Sequence, residues 1–184
     1  MAGVGTWSLL RYENKPGPVG KTPETWPYDS HIARQSGHAT LVMFAHPHCP
    51  CSSASVGELN RLLTRCQQPT AVHILFVRPN EVSDSWTETS LRKSAEAIPD
   101  ADVQIDPASE EARRFGAVSS GYVALYSAEG HLLFSGGITD GRGHAGDNAG
   151  ENVVVTLLNG YEAGLKHTPV YGCSLYSNCT NSTQ

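Results

Sequence analysis

Two stretches of the chain, "ATLVMFAH" (39–46) and "AVHILFVR" (71–78), are near-continuous apolar runs. Such runs predict strands covered on both faces. Between them, Val56, Leu59, Leu62, Leu63 and Cys66 recur at three- and four-residue spacing, the stripe of a helix with one buried side. Residues 87–97 read as a polar helix, and "DVQID" (102–106) as a short strand. Asp106-Pro107 is a helix start signal, Asp as N-cap and Pro at the first helical position, for "ASEEARRF", which stops at Gly116. "YVALYSAEGHLLFSGG" (122–137) is a hairpin with "AEG" as its turn. "NVVVTLLNGYEAGL" (152–165) predicts a last helix with Val154, Leu157, Leu158, Tyr161 and Leu165 facing inward.

Ahead of the first strand, "KPGPVGKTPETWP" is aperiodic and proline-rich, a surface run. Ser30 is placed to cap a short helix through "HIARQ", ended by Gly37. Strands alternating with helices, closed by a hairpin and a helix, specify an α/β class with an antiparallel finish. The expected organisation is a loop-rich lead-in over 1–38, one α/β domain over 39–166, and an extension over 167–184 that carries Cys173 and Cys179. The polar end, "SNCTNSTQ", is expected to fray.

Composition narrows the function classes. At 184 residues a single domain buries roughly 70% of its unfolded surface, so no disulfide or metal is needed to hold the core. The net charge of -5 and the lack of any Lys/Arg cluster argue against nucleic acid and anionic membrane as partners. No apolar run approaches the ~20 residues that span a bilayer. The opening "MAGVGTWSLLRYENKPG" lacks the charged and apolar regions of a signal peptide, and "MAG" fits a replaced leader or anchor. No pattern fixes an oligomeric state.

The chemistry concentrates in "MFAHPHCPCSS" (43–53). Pro50 suits the first helical position, which makes Cys49 the N-cap and Cys51 the second helical residue. A cysteine at a helix N-terminus faces unpaired N–H groups and the positive end of the dipole, so its thiolate is favoured. Cys49 is thus the expected nucleophile. A direct Cys49–Cys51 bond would close a small, strained ring, and strain makes a disulfide more oxidising. Cys173, in "TPVYGCSLY", is the other candidate resolver if the C-terminal segment folds back over the turn; the alternatives for it are a bond to Cys179 or a buried thiol. Cys66 is in phase with the apolar helix face and reads as a small hydrophobe.

A buried strand ending in a Cys-Pro turn that opens a helix resembles the thioredoxin superfamily. "VQIDPASEEARRFGAV" and "LLFSGG" extend the likeness over roughly residues 39–165. Within the superfamily, "LVMFAHPHCPCSSAS", "LLFSGGIT" and "RGHAGDN" are most similar to RedB-like bacterial proteins. The resemblance implies a mixed sheet flanked by helices, exchange with protein thiols or disulfides without a cofactor, and a place in the periplasm or on a membrane anchor outside the cytoplasm. It also implies that Ser120, Gly121 and Tyr122 form the substrate loop. Two features depart from the superfamily pattern. The cysteines are separated by one residue instead of two: counting back from the helix puts Ser52 at the resolver's place, whereas counting forward from the strand puts His48 at the nucleophile's and Cys51 at the resolver's. The usual cis-proline before the hairpin strand is replaced by Gly121 in "SSGYVAL".

Copper is the rival reading. Thiolate and imidazole are soft ligands suited to Cu(I) or Zn, and His46, His48, Cys49 and Cys51 are the set that would supply them. Copper-delivery proteins of the Sco type resemble this chain in placing cysteines in the same turn. Their spacing differs, however, and none of His131, His144 or His167 stands out as the distant ligand they use. A third reading is a thioredoxin-fold interaction module without exchange activity. Gly141 to Gly146 fits G-x-G-x-x-G, but no parallel strand bearing an acid follows, so a dinucleotide is not expected and the segment reads as a solvated glycine loop.

Overall fold

The computed structural model describes residues 14–176. Its elements, in chain order, are β1 (Ala39–Ala45), α1 (Ser52–Leu63), β2 (Thr70–Arg78), a 3-10 turn (Asp84–Thr87), α2 (Ser90–Glu96), β3 (Ala101–Pro107), α3 (Glu110–Arg114), β4 (Tyr122–Tyr126), β5 (Leu132–Gly137) and α4 (Ala149–Leu158). The strands form one sheet in the order β3-β2-β1-β4-β5. β1 and β3 both run parallel to β2, whereas β4 runs antiparallel to β1 and β5 antiparallel to β4. This is the mixed, helix-flanked sheet of the thioredoxin-like fold.

Side-chain alternation along the buried strands builds two cores. Leu41, Met43 and Ala45 of β1 face α1, α2 and α4, where Leu59, Leu62, Leu91, Ala95, Val154 and Leu158 meet them. Val42 and Phe44 face the other side, with Phe115, Tyr122, Tyr126, Ile32, Val170 and Leu175. The described parts of the lead-in and the C-terminal segment therefore close the second core. Trp26 anchors the lead-in there, edge-on to Phe115 at 5.0 Å and to Tyr126 at 5.2 Å.

Several boundaries differ from expectation, each for a local reason. No helix follows Ser30: its hydroxyl donates to Glu111 Oε2 (2.6 Å) and accepts from Ile32 N–H, tying the lead-in to α3. The helix expected over 87–97 splits into the 3-10 turn and α2, because Thr89 takes the N-cap and accepts from Arg92 N–H. Asp106 and Pro107 stay in register with β2 as the end of β3, so Pro107 is not the first helical residue. Asp106 still caps α3, from farther back, by accepting from the N–H groups of Glu111 and Ala112, both at 2.9 Å. α4 begins at Ala149 under the Asn148 cap and stops at Leu158, where Gly160 takes the left-handed conformation (φ +84°) that ends helices. Tyr161 and Leu165, expected inside, are 71% and 43% exposed. Cys179 lies outside the described residues.

Candidate active site: three sulfurs at the sheet edge

The topology brings together the carboxyl ends of the parallel strands, where open α/β sheets place their sites. The cysteine turn leaves β1 at this edge. Because β4 is antiparallel to β1, its first residue, Tyr122, pairs with Phe44 at the same edge. Gly121 N–H donates to Phe44 O at 2.8 Å, and Ser120 Oγ accepts from His46 N–H at 2.7 Å and meets Ser52 Oγ at 2.6 Å. Ser120, Gly121 and Tyr122, expected to form the substrate loop, therefore sit against the cysteine turn. Gly121 is trans with φ +85°, and a Cβ there would lie 2.6 Å from Ser55 Oγ. Proline fits neither that φ nor the hydrogen bond its nitrogen makes, so the glycine is a different loop solution.

α1 starts later than expected. Its N-cap is Cys51, and Cys49 and Pro50 form a turn closed by Ser52 N–H to Cys49 O (3.2 Å) and Ser53 N–H to Pro50 O (3.4 Å). Cys49 thus precedes the helix instead of capping it. It is 3% exposed, Cys51 is 8% exposed, and neither is in a disulfide.

The decisive contact comes from the far end of the chain. Cys173 Sγ stands 3.0 Å from Cys49 Sγ. The segment that carries it is laid down by backbone pairing: Ser120 N–H donates to Cys173 O (2.8 Å) and Leu175 N–H to Val118 O (3.0 Å). Gly172 permits the approach, since a Cβ there would fall 1.8 Å from Ser120 O.

The three thiols are electrostatically unequal. Burial pushes Cys49 up, but hydrogen bonds from the Ser52 hydroxyl and the Cys173 thiol, with the backbone N–H groups of both residues, outweigh it and hold the thiol at about 7. Cys173 is pushed up to about 12 by burial, by its hydrogen bond to Cys49, and by the charges of Cys49 and Cys51. Cys51 is raised by burial and by Cys49, with Arg142 hydrogen-bonding to it and pulling the other way. The favoured thiolate is Cys49, and specific donors rather than a helix terminus are the cause.

Three contributors escaped the sequence reading. Ser52 stands at the place that counting back from the helix gives a resolving cysteine, and it donates to the Cys49 sulfur instead. Arg142 comes from the glycine loop, which is tied down where Gly146 N–H meets Glu58 Oε1 (2.7 Å) and Asn148 Nδ2 donates to Ile138 O (2.8 Å). Glu58, fully buried, lies four residues before Leu62 and so on the inward face of α1, a visible signal. Cys66 is half-buried against the first core, its thiol raised by burial and donating to Leu62 O.

The proposed metal ligands are arranged otherwise. His46 and His48 face Trp86, at centroid distances of 5.3 and 4.5 Å, and His48 Nε2 lies 3.0 Å from Trp86 O. Among the described residues, no group of three or more His, Cys, Asp or Glu is arranged to hold a metal ion. No described helix is long and apolar enough to cross a membrane.

No protein-family model matches the sequence, and no curated protein matches it. Solved structures do. An uncharacterized conserved protein of Geobacillus kaustophilus aligns over 92% of this chain and 97% of its own, at 20% identity and a TM-score of 0.59. A hypothetical protein of Sinorhizobium meliloti aligns over 88% of this chain and 93% of its own, at 19% identity and a TM-score of 0.56. A secreted disulfide oxidoreductase of Mycobacterium tuberculosis aligns over 67% and 81%, at 12% identity and a TM-score of 0.47, too loosely to carry function across. At these identities the likeness is one of fold.

Proposed function

We propose that the protein carries out thiol–disulfide exchange on a protein substrate, with Cys49 as attacking thiol and Cys173 as resolving thiol. The observation that carries this reading is the 3.0 Å approach of two free thiols of opposite acidity, Cys49 held at about 7 and Cys173 at about 12. The Cys49 thiolate attacks one sulfur of a substrate disulfide, forming a mixed disulfide and releasing the other substrate sulfur as a thiolate, which takes a proton from solvent. Cys49 is then neutral. Burial still holds Cys173 up, but its hydrogen bond to the Cys49 thiolate and that thiolate's charge no longer do, and Cys173 gives its proton to solvent. Its thiolate attacks Cys49 Sγ, the mixed disulfide breaks, and the second substrate thiolate leaves. Two protein thiols have become one disulfide, and the substrate disulfide has taken up two electrons. The same steps run in reverse from the oxidised protein.

Cys51 is the weaker resolver, because only Pro50 separates it from Cys49 and a bond between them would close a small, strained ring. The exchange uses sulfur alone, without a cofactor. A location outside the cytoplasm belongs to this reading, because disulfides persist in oxidising compartments. Kinship with RedB-like proteins rests on the quoted motifs.

Trapping is the test. A Cys173→Ser variant incubated with insulin as a disulfide probe is expected to accumulate a mixed disulfide at Cys49, and a Cys49→Ser variant none. Full turnover in either variant would overturn the assignment. Copper handling by His46, His48, Cys49 and Cys51 is separated by Cu(I) competition titration: tight uptake of one equivalent, lost in Cys49→Ser, favours copper over exchange.

A further inference from the structure

Residues 173–175 lie antiparallel across the loop beside Cys49, with Ser119 bridged to Ser174 and two backbone hydrogen bonds closing the pair. Leu175, 3% exposed, pins this strap into the second core. The N–H groups of Ser120 and Leu175 and the carbonyls of Val118 and Cys173 are therefore already engaged by the chain itself, and an extended peptide cannot take those groups by strand addition.

The cysteine turn has another side. Between it and the start of α2 runs a cleft of about 380 Å³, reaching Cys49 and lined by no residue of the loop or the strap. That volume is at the lower end of the ~300–1,000 Å³ of small-molecule sites. Its polar side chains are His48, Ser53, Thr89, Ser90 and Ser94, and no Lys, Arg, Asp or Glu lines it.

Displacement at sulfur is in-line, with attacking, central and leaving sulfurs close to collinear. When Cys173 attacks Cys49 Sγ, the Cys49–substrate bond that breaks must point away from Cys173. We infer that the substrate cysteine is presented through this cleft, opposite the strap, and that the group admitted is compact, uncharged and hydrogen-bonding. The inference rests on the exchange reading and adds to it where the substrate sits and of what chemistry. The strap stays in place throughout the cycle, because it carries the resolving thiol.

Two symmetric disulfides of similar size serve as probes on the full chain: 2-hydroxyethyl disulfide, uncharged with hydroxyls, and dithiodiglycolate, a dianion. The readout is the rate of Cys49–Cys173 bond formation, followed by mass spectrometry of quenched samples. Ser94→Trp and Ser53→Trp fill the cleft from two exposed helix positions, on α2 and α1 respectively, so at least one should fold normally. Each is expected to slow 2-hydroxyethyl disulfide by about tenfold or more, the kinetic equivalent of losing one good docking contact. Wild-type protein is expected to prefer the uncharged probe. Wild-type rates in both folded variants would overturn the cleft and place the substrate over the strap. A preference for the dianion would overturn its chemistry. No Cys49–Cys173 bond in the wild type with either probe would overturn the exchange reading, and this inference with it.

Discussion

Ser52 is the residue on which the reactivity of Cys49 turns. Its hydroxyl and N–H both reach the sulfur, and its hydroxyl also meets Ser120, so one side chain links the attacking thiol to the loop before β4. Burial alone would make Cys49 a poor thiolate. Alkylation by iodoacetamide is therefore expected to rise with pH to half its maximum near pH 7, where an ordinary thiol reaches it near about 8.5. Ser52→Ala removes the largest favourable contribution and should move that midpoint upward. Cys66, raised by burial, should label more slowly at neutral pH. The sign extends to stability. A thiol depressed in the folded state contributes stability in full above its unfolded pKa, and that contribution is lost as pH falls through about 7. Labelling measured by mass spectrometry across pH, in the wild type and in Ser52→Ala, checks both expectations.

At the scale of elements, the strands were legible because burial on both faces leaves a signature that sequence can carry. "ATLVMFAH" and "AVHILFVR" gave β1 and β2 within a residue or so. Helix ends were less legible, because they depend on which polar group wins the cap. Asp106-Pro107 looked like a local start, yet the sheet holds both residues in register with β2 and the carboxylate reaches two N–H groups on α3. Asp106→Ala would leave those buried donors without a partner. It is expected to destabilise the fold by about 2 kcal/mol, the usual loss for hydrogen bonds to a charged group, measured by urea unfolding. No change would mean that α3 is held by packing alone. Gly121 was visible as a substitution for proline, but not its φ of +85° or its bond to Phe44, which depend on the pairing of β4 with β1.

For the molecule as a whole, the site depends on contacts between residues far apart in sequence. Cys49 and Cys173 are separated by 124 positions, and no local pattern joins them. Within "TPVYGCSLY", Pro169 and Gly172 allow the chain to turn back, and Val170 and Leu175 hold it there by completing the second core. The strap is thus a packing element first, and its packing delivers the sulfur. Arg142 and Glu58 follow the same logic, one on a loop that motif reading sets aside and the other on the buried side of a helix. A disulfide map decides whether Cys173 is the partner of Cys49. Protein isolated without reductant, alkylated, digested and analysed by mass spectrometry should show Cys49 linked to Cys173. A Cys49–Cys51 bond, or Cys173 joined to Cys179 with Cys49 left free, would rule out Cys173 as the resolving thiol.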